Sequence, residues 1–122
     1  MQDIKELLKS FKHALRGIKY ALKNERNFQI EILIGCFVVF LAFIFEIKTW
    51  EKIILFLVVF AVLIMELINT IFERVVDILK PRVHPYAQLV KDMMAAAVLL
   101  ASIGAVVIGT IIFWPYFGDL LG

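Results

Sequence analysis

Cysteine is almost missing from this chain: 122 residues contain one, Cys36, inside the apolar run Gly35-Cys36-Phe37-Val38. One thiol cannot close an internal disulfide, and no Cys/His spacing suited to a structural metal exists. Cys36 reads as a small lipid-buried residue. Proline is scarce too, and its three copies (Pro81, Pro85 and Pro115) leave the first 80 residues free of that helix breaker. There is no low-complexity tract, no internal repeat and no domain linker, so residues 1–122 are expected to form a single membrane domain. No secretory leader is expected, because about twenty charged, amphipathic residues precede any continuous apolar run. A net charge of +2 is too small to suggest a polyanionic partner, and no nucleic acid is expected.

What the chain does have is hydrophobicity. Apolar residues make up 62% of it, against roughly 45–50% in soluble domains, and they fall in blocks. Residues 1–26 precede those blocks and form the expected surface helix. Ile4, Leu8, Phe11, Leu15, Ile18 and Leu22 recur in steps of four and three, which keeps them on one face. Lys5, Lys9, Lys12, Arg16, Lys19 and Lys23 repeat the rhythm one residue later, so a basic ridge lies about 100° around the helix. Such a helix suits the surface of an anionic membrane.

Three spans are expected, at about 28–46, 50–79 and 87–115. The first carries no charge from Ile32 to Phe45, and the third none from Met93 to Trp114. The apolar run of the second, Ile53–Met65, is short for a crossing, but its helical pattern continues through Glu66, Asn69, Thr70, Glu73 and Asp77 until Pro81. A helix over 50–79 would be roughly 45 Å long, against a hydrocarbon layer of about 30 Å, so one end must project or tilt. Small residues in the third span, among them Ala101, Gly104, Ala105 and Gly109, allow close helix packing. Basic residues crowd the N-terminal segment and recur between spans two and three at Lys80, Arg82 and Lys91. The positive-inside rule therefore puts the N-terminus in the cytoplasm and the C-terminus outside. The fold class is all-α: a membrane protein with one amphipathic surface helix and three transmembrane helices.

The polar residues of the second span are aligned. At about 100° per residue, with Glu66 as zero, Asn69 lies near −60°, Thr70 near +40°, Glu73 near −20° and Asp77 near +20°. A carboxylate near the centre of a membrane helix costs about 2.5–3.5 kcal/mol on insertion scales, which usually marks a site facing a polar cavity or a partner. Counting about 20 residues inward from Trp50 reaches Thr70, so Glu66 and Asn69 sit just within the cytoplasmic interface. A helix end emerging into water accounts for Asp77 and Glu73 but not for Glu66 and Asn69. Two further groups lie at this depth. Asn24-Glu25-Arg26-Asn27-Phe28, followed by Glu31, stands at the start of the first span. His84-Pro85-Tyr86, with Lys91 and Asp92, leads into the third. Two carboxylates at that depth could hold Mg²⁺, although Glu25 serves equally well as a capping residue. Lys91 could neutralise phosphate or simply anchor the helix. No G-x-x-x-x-G-K-[ST] loop and no protein-kinase signature is present.

The run Glu66-Leu-Ile-Asn69-Thr70-Ile-Phe-Glu73-Arg-Val-Val-Asp77 resembles the E-x-x-N-[ST]-x-x-E-x-x-V-D signature of the small bacterial diacylglycerol kinase and undecaprenol kinase family. Lys91-Asp92-Met-Met-Ala95-Ala-Ala-Val98-Leu resembles its second signature, and Asn24-Glu25-Arg26-Asn27-Phe28 its N-terminal E-x-x-F element. The resemblance implies a homotrimer in the bacterial inner membrane, with sites shared between protomers, that uses MgATP to phosphorylate a lipid alcohol. It implies Glu66 as the general base, Glu25 and Glu73 as Mg²⁺ ligands, and Asn69 beside the phosphates. Lys91 and Asp92 would bind ATP, His84 would meet the adenine, and His13 falls where some members contact the nucleotide. Glu-Arg-Asn-Phe and His84-Pro85 look more like the undecaprenol kinase branch, whereas Glu31 departs from the histidine expected there. Undecaprenol is the expected substrate and diacylglycerol the alternative. A proton or ion transporter using Glu66 and Glu73 as a relay is a different class. It would need polar groups across the whole bilayer, and the outer halves of the spans lack them.

Overall fold

The computed structural model describes residues 1–79 and 84–121, with His84 described by its backbone alone. Lys80, Pro81 and Arg82, which carry the expected helix stop and part of the basic linker, lie outside the described residues. Four helices follow in order: α1 (Gln2–Asn24), α2 (Arg26–Ile44), α3 (Thr49–Leu79) and α4 (His84–Leu121). No strand occurs among the described residues. α2, α3 and α4 are each long and apolar enough to cross a membrane. α3 packs most extensively on α4, and also on α2, which in turn touches α1.

α1 leaves its apolar face uncovered. Ile4, Leu8, Phe11, Leu15 and Ile18 are all exposed, as a helix lying on a lipid surface requires. The helix ends where Glu25 turns extended (φ −108°, ψ 104°), and α2 begins at the next residue. Helix ends leave carbonyls without intrahelical donors. Here Gln29 of α2 reaches back, donating Nε2 to the carbonyls of Leu22 (2.7 Å) and Lys23 (3.3 Å). One side chain thus ties the end of α1 to the first turn of α2, and so fixes the angle between surface helix and span.

The far end of α2 closes with a Schellman turn. Ile47 N–H donates to Ala42 O and Glu46 N–H to Phe43 O, each at 3.4 Å, while Glu46 takes φ +50°. Glycine usually occupies that left-handed position, so the glutamate is strained there. The accompanying apolar contact is present, since Ala42 and Ile47 are both buried in the core with Leu55, Ile112 and Phe113. Glu51, in the first turn of α3, accepts the backbone N–H of Lys48 at 3.0 Å, which is half of a capping box. Its Oε1 also accepts the Tyr116 hydroxyl of α4 at 2.6 Å. The Phe45 ring lies against those of Phe113, Tyr116 and Phe117. α4 runs on to Leu121, through Pro115. A membrane helix tolerates the missing N–H where neighbouring groups compensate, and the turn beyond Pro115 carries Tyr116 to Glu51 and Phe117 to Phe45. Cys36 is exposed on the outer surface of α2, as a lipid-facing residue would be.

α2 comes close to α3 at Gly35, where a Cβ would stand 2.8 Å from Val59 Cγ1. Valine is stiff at χ1 and cannot swing away freely. Gly35→Leu is therefore expected to destabilise the protein by about 1–3 kcal/mol through overpacking. The loss should appear as a lower thermal midpoint in detergent and be partly restored by Val59→Ala.

Candidate active site

Burial along α3 grades the polar stripe. Glu66 and Asn69 are 4% and 6% exposed, Glu73 is half-buried, and Asp77 is exposed near the helix end. Buried polar side chains normally have hydrogen-bond partners. Asn69 Nδ2 donates to Glu73 Oε1 at 3.3 Å, which orders the amide, yet Asn69 Oδ1 is buried without a partner. Glu31 Oε2 on α2 is in the same position. These two orphaned acceptors mark a place built to receive a donor or a cation.

The start of α2 supplies the second wall. Glu31 is close enough to Glu66 for their charges to interact, and Asn27, one turn earlier, is within hydrogen-bonding reach of the Glu66 carboxylate. Glu25, in the break between α1 and α2, is also in electrostatic range of Glu66. Its Oε1 accepts Arg74 Nη2 of α3 at 2.6 Å. Four carboxylates (Glu25, Glu31, Glu66 and Glu73) and two amides thus converge from two helices. Among the described residues, no set of three or more Asp, Glu, His or Cys side chains is close enough to hold a metal ion unaided.

α4 supplies the third wall. Lys91 Nζ meets Asp77 Oδ1 at 2.6 Å, and Gln88 Nε2 donates to Asp92 Oδ1 at 2.9 Å. The pairing carries the stripe of α3 across to α4, and Asp77 is engaged rather than a mere solvated helix end. His13 is exposed on α1, eleven residues before the helix ends, or roughly 16 Å along its axis. Within one protomer it does not join this cluster. The His84 side chain lies outside what is described.

A groove of about 460 Å³ opens at Glu31 and continues between the helices past Gly35, Val59, Ala105 and Gly109 to Trp114. Its lining is almost wholly apolar. Glu31 thus joins the acidic cluster to a groove whose lining suits a hydrocarbon chain.

Asn27 and Glu31 belong to the cluster that the sequence marks at the start of the first span, but their partners on α3 are not evident from it, and Arg74 is not marked at all. A signal for the first two exists, since Asn27, Glu31 and Gly35 recur every four residues and so share one face of α2. The smallest residue on that face is the one that lets α3 come close. The Arg74–Glu25 pair joins residues 49 apart and has no local signature.

A model of the prokaryotic diacylglycerol kinase family matches residues 12–113. The chain belongs to that family. Among its relatives is an undecaprenol kinase of Bacillus subtilis, 36% identical over 93% of this chain and 92% of the relative. A diacylglycerol kinase of Synechocystis is 38% identical over 89% of this chain and 63% of its own length. A diacylglycerol kinase of Escherichia coli K12 is 31% identical over 92% of both. As a member of the diacylglycerol kinase family, the chain is a membrane-embedded phosphotransferase acting on a lipid alcohol, with a phosphoryl donor such as ATP.

The arrangement makes a stability prediction. Asn69→Asp adds a carboxylate beside Glu66 and Glu73 in a buried position, which is expected to cost at least about 2 kcal/mol. A lower thermal midpoint in detergent should follow, and Glu73→Gln in the same chain should recover part of it.

Proposed function

We propose that this kinase transfers the γ-phosphoryl group of MgATP to the terminal hydroxyl of undecaprenol at the cytoplasmic face of the bacterial inner membrane. The observation that carries the reading is the placement of Glu66. It is buried one turn from Asn69 and two from Glu73, and it faces Asn27 and Glu31, the second of which lines the apolar groove. A lipid lying in the groove would present its hydroxyl there. Undecaprenol is favoured over diacylglycerol by the similarity to the Bacillus undecaprenol kinase and by the Glu-Arg-Asn-Phe and His84-Pro85 elements.

In this reading Glu66 accepts the proton of the lipid hydroxyl as its oxygen attacks the γ-phosphorus, and the bond to the β–γ bridging oxygen breaks to release ADP. Glu25 and Glu73 hold the divalent ion, with Asn69 Oδ1 beside them as a further oxygen donor. This is the hard donor set that Mg²⁺ prefers, and one or two carboxylates suffice where phosphate and water supply the rest. The orphaned state of Asn69 Oδ1 is the feature that fits an incoming cation. When bound, Mg²⁺ neutralises charge on the phosphates. Lys91 supports the γ-phosphate, Asp77 keeps its ammonium in place, and Asp92 and His84 lie toward the nucleotide. His13 reaches a nucleotide only from a neighbouring protomer, which accords with a homotrimer whose sites are shared. Gly104 on α4 has open space at its Cβ position, leaving room for a close helix from another copy. The N-terminus and the α3–α4 connection would lie in the cytoplasm and the C-terminus outside.

The test is a transfer assay. Purified protein in detergent receives labelled ATP, Mg²⁺ and either undecaprenol or diacylglycerol. Label is expected in undecaprenol at a kcat/KM at least about tenfold that for diacylglycerol, a difference of about 1.4 kcal/mol in transition-state stabilisation. The reverse preference would reassign the substrate, and no transfer to either lipid would refute the reading.

A further inference from the structure

Arg74 has no part in the signatures that place the chain in its family, yet it makes one of the shortest polar contacts in the structure. Its Nη2 lies 2.6 Å from Glu25 Oε1. The pair is lopsided in exposure, since the Arg74 side chain is 57% exposed and that of Glu25 only 18%. Glu25 is held on extended backbone between two helices, whereas Arg74 projects from the cytoplasmic end of α3 on a long, flexible stem. The carboxylate is therefore the fixed member and the guanidinium the movable one.

Charge balance gives this pair its meaning. Glu25, Glu31, Glu66 and Glu73 lie near one another at the edge of a low-dielectric region, where like charges repel strongly. Arg74 lies against Glu25, with Tyr20 and Asp77 in electrostatic range, and Lys91 is engaged with Asp77 on the adjoining turn. Without a cation, Arg74 offsets part of the acidic charge. A divalent ion at Glu25 and Glu73 would compete with Arg74 for the charge of the Glu25 carboxylate. The nucleotide brings phosphate oxygens, which a guanidinium binds as well as a carboxylate.

We propose that Arg74 is a resting counter-ion of the active site. It holds Glu25 until the divalent ion arrives, gives up the carboxylate to the ion, and turns its guanidinium to the nucleotide phosphates. The inference rests on the reading of Glu25 as a metal ligand. It assigns Arg74 as a binding residue that competes with metal and cooperates with nucleotide, two effects of opposite sign from one side chain. No covalent step is added.

The experiment uses the full chain in detergent, with Mn²⁺ as the probe ion read by the electron paramagnetic resonance signal of the free ion, without nucleotide. Arg74→Gln is expected to tighten Mn²⁺ binding about three- to tenfold, because the competitor is gone. The same variant is expected to weaken binding of a non-hydrolysable ATP analogue, measured calorimetrically with saturating Mg²⁺, by a similar factor. Lys23→Gln, which removes a nearby exposed charge that does not touch Glu25, should leave Mn²⁺ affinity within about twofold. Should Arg74→Gln not fold, Arg74→Lys is expected to shift both affinities in the same directions by less, because an ammonium cannot reproduce the planar fork. Glu25→Gln separates the underlying reading from the inference. Weaker Mn²⁺ binding in Glu25→Gln, with no tightening in either Arg74 variant, overturns the counter-ion role while Glu25 stays a ligand. Unchanged Mn²⁺ binding in Glu25→Gln overturns the ligand assignment, and the inference with it.

Discussion

A carboxylate carried by a membrane helix persists only where other polar groups surround it, and this constraint organises one half of the molecule. Glu66 is buried on α3. Water would stabilise its charge, but the position lies among apolar side chains, where an unpaired charge costs several kcal/mol. The remedy is local. Asn69 and Glu73 follow on the same face, and Asn27 and Glu31 approach from α2. Gly35 permits that approach, because any larger residue would hold α2 away from Val59. The break at Glu25 puts a further carboxylate within reach, and Gln29 fixes the geometry of that break.

The opposite end of the bundle looks unrelated but serves the same arrangement. Glu51 binds the start of α3 and the Tyr116 hydroxyl of α4, and the aromatic cluster of Phe45, Phe113 and Phe117 packs beside it. At the other end of the pair Asp77 meets Lys91. The α3–α4 pair is thus clasped at both ends, which sets its axial register. A slip of one residue, about 1.5 Å, would pull Lys91 away from the acidic stripe. Between the clasps the surfaces are apolar, and the groove runs through that region. Chemistry collects at one edge of the membrane and packing at the other, with a channel for hydrocarbon between them.

Much of this was legible in the sequence because membranes impose simple rules. Backbone groups in hydrocarbon must bond within their own segment, so long apolar runs become helices, and the fold class followed from the spacing of Ile53–Met65 and its neighbours. The angular alignment of Glu66, Asn69 and Glu73 was readable because a helix converts spacing directly into direction. The partners across helices were not. Nothing local announces that Arg74 meets Glu25 or that Tyr116 meets Glu51, since these contacts depend on how whole helices are set against one another. The continuation of α4 through Pro115 has no local signal, since the turn beyond it is anchored by contacts of Tyr116 and Phe117 with residues of other segments. His13 lies eleven residues before the end of α1, away from the carboxylates of α2 and α3, and spacing along the sequence does not reveal that distance.

The central claim is that Glu66 takes the proton of the lipid hydroxyl. Single-turnover transfer from labelled MgATP, measured alongside equilibrium binding of a non-hydrolysable ATP analogue, tests it most directly in Glu66→Gln. This variant keeps the size and hydrogen-bonding reach of the side chain but cannot accept the proton. The account expects nucleotide binding within about twofold of the unaltered protein and a transfer rate lower by about 10²–10⁴-fold, the usual contribution of a general base. Transfer at a near-normal rate would contradict it and move the base to another carboxylate of the cluster.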